Sequence, residues 1–218
     1  MEPSPGFSRQ EAFGYGWQMM KKHFWLFTGL LVLIGIIQGI ENYFSDDKFH
    51  GSPVSALITM IFWVLDVIVQ IGFLKVLLNL HDGKGFKFSD LFSQWRLFFK
   101  YIFGAIVYGL IVLAGLILLI VPGIMWAVRF QLYTYFIVDK KAGPIEALKL
   151  SAQATKGSRT ELFWFDLACF GAAILGLLAL FVGLLAAIPT ILMAMVFVYR
   201  KLQPQAPAGE PAAPAVMI

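Results

Sequence analysis

Charge is scarce in this chain, and so is nearly everything that carries catalysis. Only 14% of the 218 residues are Asp, Glu, Lys or Arg. That share is well below the quarter usual in soluble domains. There is one cysteine, Cys169, and it sits inside an apolar block, which excludes an intramolecular disulfide and a cysteine metal site. The three histidines, His23, His50 and His81, are far apart in sequence, so a histidine metal site is not expected. Asp82, Asp90, Asp139 and Glu146 are too scattered to propose a metal or acid–base set. No cofactor is expected. The longest polar stretch is too short for an independent soluble core.

Hydrophobic residues supply 59% of the chain, and the mean hydropathy is +0.77. Six apolar blocks account for most of it, at roughly 24–44, 54–80, 101–121, 124–139, 162–182 and 184–200. About 20 apolar residues cross a bilayer as a helix. The reading is therefore all-α, a polytopic membrane protein forming one domain over 1–202. The Pro/Ala-rich tail, 203–218, is expected to be disordered. No small-residue cleavage site follows the first block, so it is expected to remain as the first span.

Basic residues are scarce in alternate gaps between the blocks, the first holding Lys48 alone. Lys84, Lys87, Arg96 and Lys100 fill one gap, and Lys140, Lys141, Lys149, Lys156 and Arg159 fill another. The Pro122-Gly123 gap and the Gly183 break hold none, and the last block leaves on Arg200-Lys201. Lysine and arginine beside spans are retained in the cytoplasm, which predicts both termini inside. The net charge of +4 then meets anionic lipid headgroups rather than nucleic acid.

Each basic gap also holds an amphipathic segment. Ser8-Arg9-Gln10-Glu11 fits a capping box opening a helix with Phe13, Trp17, Met20 and Phe24 on one face, after a frayed 1–7. Phe92, Trp95 and Phe99 share a face in the second, and Ile145, Leu148 and Ala152 in the third. The expected architecture is three hairpins, each preceded by a cytoplasmic interfacial helix. Their reversals fall at Ser45–Ser52, Pro122-Gly123 and Gly183, and Pro189 is expected to kink the last span. Gly35 and Gly39 form a small-residue pair on the first span.

Ionisable groups at membrane depth cost about 2.5–3.5 kcal/mol each on insertion scales and are functional candidates by default. Asp66, Lys75, Arg129 and Asp166 qualify. Helical rise places Asp66 about 21 Å and Arg129 about 15 Å from the cytoplasmic side, within arginine reach. An Asp66–Arg129 pair is predicted, and Lys75 and Asp166, at similar depth, form a second. Either pair serves helix packing or lines a path. Gln38, Gln70, Gln131 and Thr134 extend the polar set.

Between Ile120 and Gly157 the chain carries Pro122-Gly123, Arg129, Glu146-Ala147-Leu148, Ser151 and Lys156-Gly157. This pattern resembles a group of uncharacterised bacterial multi-pass inner-membrane proteins. They are similar to the membrane domain of some glycerophosphodiester phosphodiesterases. The resemblance implies a six-helix inner-membrane protein acting near lipids, and Pro122, Gly123, Ser151 and Gly157 are its candidate structural residues. The fused phosphodiesterase domain is absent from these residues, and its activity does not transfer. The expected function is non-enzymatic: a structural, lipid-interacting or envelope-homeostasis factor, with a membrane-protein partner or a second copy as further contacts. The alternative is a small-solute or lipid transporter or channel using Asp66 and Arg129.

Overall fold

The computed structural model describes residues 7–45, 53–179 and 182–203. The remainder of the expected loop to Ser52, and the expected tail beyond Gln203, lie outside them. Among the described residues the fold is all-helical, without strands. Five stretches are long and apolar enough to cross a membrane: Phe24–Phe44, Val54–His81, Phe88–Leu118, Arg159–Leu178 and Gly183–Leu202. The chain is a multi-pass membrane protein by that measure.

Helix α1 (Arg9–Lys22) starts on Ser8, whose side chain accepts the Glu11 N–H at 3.5 Å. Lys21 and Lys22 in its last turn complement the helix dipole. A single kink at His23 (φ −119°, ψ 28°) passes the chain into α2 (Phe24–Ser45). Helix α1 packs along α9 (Val182–Leu202). Its Gly16 lies so close that a Cβ there would collide with the Thr190 carbonyl. Phe7, expected to fray, is buried edge-on against Phe165 with centroids 5.6 Å apart.

Helix α3 (Pro53–His81) returns beside α2. At about 43 Å by helical rise it exceeds a hydrocarbon core of about 30 Å. Gly83 (φ 72°) and Gly85 (φ 75°) occupy left-handed positions that fold the chain back along it. Leu91 then rests on Gly72, where any Cβ would strike the Leu91 carbonyl. Two 3-10 turns, Phe88–Leu91 and Trp95–Leu97, stand where the second amphipathic helix was expected. Asp90 organises them by accepting from the Lys87 N–H and Asn79 Nδ2, both at 3.3 Å.

The second hairpin corrects two expectations. Helix α4 (Phe98–Leu118) ends at Leu119, whose extended backbone alone reverses the chain. Pro122-Gly123 is not the turn. Pro122 sits in the first turn of α5 (Ile120–Phe130), where a missing N–H costs no helical bond. Gly123 is there to let α5 approach α4, since a Cβ on Gly115 would stand 2.8 Å from the Gly123 Cα. The fourth block is also not one continuous helix. It breaks at Gln131-Leu132 into α5 and α6 (Tyr133–Lys140).

Helix α7 (Pro144–Ala154) has proline at its start and Glu146 accepting the Gly143 N–H at 3.1 Å. Gly157 takes φ 92° before α8 (Arg159–Leu178), a conformation open to glycine. Since α9 begins at Val182, Gly183 lies inside it rather than at the reversal. It packs on Gly176: a Cβ on Gly183 would be 2.6 Å from the Gly176 carbonyl oxygen. Helix α9 also continues through Pro189.

The core sits at one end. Ile71, Leu77, Phe136, Leu148, Phe165, Met193 and Tyr199 pack together there, among the basic segments. Toward the far end Val32, Leu57, Leu110, Leu118, Val121 and Leu178 are exposed. Such surface belongs in hydrocarbon, where apolar side chains need no protein cover.

Candidate functional site

The break between α5 and α6 is the most constrained polar feature of the fold. An interrupted helix frees backbone groups that hydrocarbon cannot satisfy; at this break α7 and α4 meet them, and α8 holds the side chain of Gln131. The Leu132 N–H donates to Ser151 Oγ at 3.1 Å. The Ser151 hydroxyl donates to the Arg129 carbonyl at 3.1 Å, and the Thr155 hydroxyl lies between that oxygen, at 3.0 Å, and the Ser151 carbonyl of its own helix, at 2.9 Å. Ser151 and Thr155 are both 0% exposed. From α4, the Tyr108 hydroxyl donates to the Ala127 carbonyl at 3.4 Å. From α8, Asp166 Oδ2 accepts from Gln131 Nε2 at 3.0 Å.

This geometry explains why α7 carries small and hydroxyl residues on one face. Ala147, Leu148, Ser151 and Ala154 are its buried positions. The i, i+4 pair Ser151 and Thr155 projects from that face into the break. Ser151 of the sequence motif is therefore a backbone cap acting across helices. Gly157 supplies the left-handed turn that sends α8 back toward Gln131.

The predicted ion pairs do not form. Asp66 is buried at 7% exposure, and its Oδ2 accepts from Gln70 Nε2 at 2.6 Å within the same helix. Its Oδ1 is buried without a partner, as is Arg129 Nε. The Arg129 guanidinium instead lies over the Phe130 ring, 5.2 Å from the centroid, a favourable cation–π placement. Asp166 is taken by Gln131 rather than Lys75, and Lys75 makes no ion pair among the described residues. Depth counted by helical rise assumes one straight helix, and the break between α5 and α6 redirects Arg129. Gln38 is exposed.

Sequence reasoning missed the charge cluster at the basic end. Arg200 grips Asp139 with both terminal nitrogens, at 2.7 and 3.1 Å, and reaches Asp82 at 2.8 Å. The Tyr199 hydroxyl donates to Asp139 at 2.8 Å. One guanidinium thus ties the ends of α3, α6 and α9. The residues are 118 and 61 positions apart, and no local spacing announces them. The only available signal was that Asp82, Asp139 and Arg200 all stand at block ends on the same side.

Outside the spans, burial and the neighbouring Lys22 lower the His23 pKa, which favours the neutral imidazole at the α1–α2 kink. Among the described residues no three His, Cys, Asp or Glu side chains gather as a metal set. Two apolar clefts flank α5. One of about 340 Å³ lies between α5 and the start of α8, lined by Val121, Ile124, Met125, Val128, Arg159, Thr160 and Phe163. Another, of about 500 Å³, lies between α4 and α5 beside Arg129 and Trp126.

An uncharacterised protein of Mycobacterium bovis and uncharacterised proteins of two Mycobacterium tuberculosis strains are each 30% identical to this chain over 164 residues. The matches cover 70% of this chain and 49% of each relative. The chain spans about half the length of the curated relatives it matches. No family model matches the chain, and no solved structure does.

Proposed function

We propose that this chain crosses a bacterial inner membrane six times with both termini cytoplasmic, and that it acts without catalysis as a structural or lipid-interacting factor of the envelope. The observation that carries the reading is how its buried polar groups are used. Ser151, Thr155, Gln131 and Asp166 hold helices together around the break. Asp66 is bonded within its own helix.

Pairing along α4 supports the sixfold crossing. Gly115 meets Gly123 of α5 at the far end, and Gly104 lies against Tyr133 and Ile137 of α6 at the basic end. The α5–α6 pair therefore retraces α4 as a broken fourth span. The orientation rests on the basic residues that crowd one end. The resemblance to phosphodiesterase membrane domains points the same way, toward a membrane module working among lipids.

The topology is tested with single cysteines in a Cys169→Ala background. Lys84→Cys and Lys156→Cys are expected to react with a membrane-impermeant maleimide only in inside-out vesicles, and Leu119→Cys only in right-side-out ones. Labelling of Lys84→Cys and Leu119→Cys from the same side refutes six crossings.

The transport alternative has one observation in its favour: Asp66 Oδ1 and Arg129 Nε are buried without partners. Proteoliposomes discriminate the two readings. A solute or proton flux that Asp66→Asn abolishes establishes transport, and its absence across ion and lipid cargoes supports the structural reading.

A further inference from the structure

Arg159 is the first residue of the α8 span, the level at which a bilayer places its phosphates. Its side chain is half-buried and its Nε makes no hydrogen bond. No acidic side chain pairs with it among the described residues. An arginine at a membrane boundary is fixed by an acid, by solvent or by a headgroup. Here it lines the 340 Å³ cleft, whose other walls are Val121, Ile124, Met125, Val128, Thr160 and Phe163.

The cleft has the shape of a chain slot. Its α5 wall runs from Val128, beside the core, to Val121 near the far-end reversal, about 10 Å by helical rise. Val121, Ile124, Met125 and Phe163 are all exposed, so the slot opens on the outer face of the bundle where hydrocarbon lies. Its volume falls within the about 300–1,000 Å³ common for ligand sites. A soluble ligand would meet an almost wholly apolar wall. An amphiphile with an anionic head would meet a cation at one end and methylenes along the rest.

We propose that this cleft is a binding site for an anionic phospholipid. The Arg159 guanidinium takes the phosphate in a charge-assisted hydrogen bond, and one acyl chain lies along α5 against Phe163. Lys156, exposed three residues earlier, adds positive potential at the headgroup. The site rests on the membrane reading above and deepens it by naming the lipid class and the residues that select it.

Native mass spectrometry of the full chain, released from detergent after mixing with dioleoyl phosphatidylglycerol or dioleoyl phosphatidylcholine, reads the site. The wild type is expected to retain phosphatidylglycerol over phosphatidylcholine, and Arg159→Gln to lower that retention by about tenfold, the loss of one hydrogen bond to a charged group. Val121→Trp fills the slot from its exposed wall with the arginine intact, and is expected to lower retention as well. Lys22→Gln, remote from the cleft, leaves retention unchanged. Size-exclusion elution and helical circular dichroism report folding, and Val121→Trp decides the matter if Arg159→Gln does not fold. Retention unmoved by both cleft substitutions overturns this site while leaving the lipid-interacting reading standing. Equal retention of the two lipids by the wild type overturns the anionic selection.

Discussion

Replacing Ser151 by alanine removes one hydroxyl that does two jobs at the α5–α6 break. It accepts the Leu132 N–H and donates to the Arg129 carbonyl. The carbonyl keeps the Thr155 hydroxyl at 3.0 Å, which can turn to it from the Ser151 carbonyl 2.9 Å away, so the main cost is the orphaned N–H. A buried donor left without a partner costs about 1–3 kcal/mol. Thr155→Val is gentler, because the shape is kept and Ser151 still serves the same oxygen; about 0.5–1.5 kcal/mol is expected. In Ser151→Ala/Thr155→Val the carbonyl loses both donors, and a second buried group becomes unsatisfied. The double variant should therefore lose more than the sum of the singles, by about 1 kcal/mol of coupling. Unfolding of the purified protein by SDS in mixed micelles, followed by circular dichroism, measures all three. Strict additivity, or a Thr155→Val as damaging as Ser151→Ala, refutes the shared-carbonyl account.

Three further substitutions test other parts of the structure by the same titration. Arg200→Lys keeps the charge but loses the two-pronged grip on Asp139 and the reach to Asp82; a loss of about 1–2 kcal/mol is expected for these partly exposed groups, and full stability would refute the clamp. Asp66→Asn preserves an acceptor for Gln70 and exchanges a buried unpaired carboxylate oxygen for an uncharged, equally unpaired amide nitrogen; the change should stay within about 1 kcal/mol, and an Asp66→Arg/Arg129→Asp swap should not recover the yield that single reversals lose. Gly72→Ala drives a Cβ into the Leu91 carbonyl and should cost about 1–3 kcal/mol, with faster proteolysis between Asp82 and Leu97; unchanged proteolysis would refute the close packing.

The spans that obey a simple rule were legible in the sequence. Long apolar runs gave α2, α3, α8 and α9 within a few residues, and Ser8 gave the start of α1. Glycine and proline misled for a physical reason. At Gly123 and Gly183 the missing Cβ serves helix-to-helix approach rather than a turn, and both uses leave the same letter in the sequence. The break at Gln131-Leu132 was illegible because its cause lies 19 to 35 residues away, in Ser151, Thr155 and Asp166. Periodicity reports faces of a continuous helix and says nothing of a partner able to satisfy an interrupted one. The Asp66–Arg129 expectation failed on the same point, since depth along a helix has no meaning across a break.

The two ends of the molecule are held by different physics, and this bears on how lipid enters the fold. At the basic end directional bonds fix the geometry: the Arg200 clamp joins α3, α6 and α9, and the stapled break joins α5, α7 and α8. Toward the far end close glycine contacts take their place: Gly115 with Gly123, and Gly176 with Gly183, close two hairpins on themselves. Hydrocarbon chains are as apolar as the side chains they would replace, so no hydrophobic force draws separate hairpins together. The gap between α5 and α8 is then bounded by directional bonds on one side and by bilayer on the other. A lipid there would satisfy Arg159, whose Nε makes no hydrogen bond, without loosening any bond that holds the basic end.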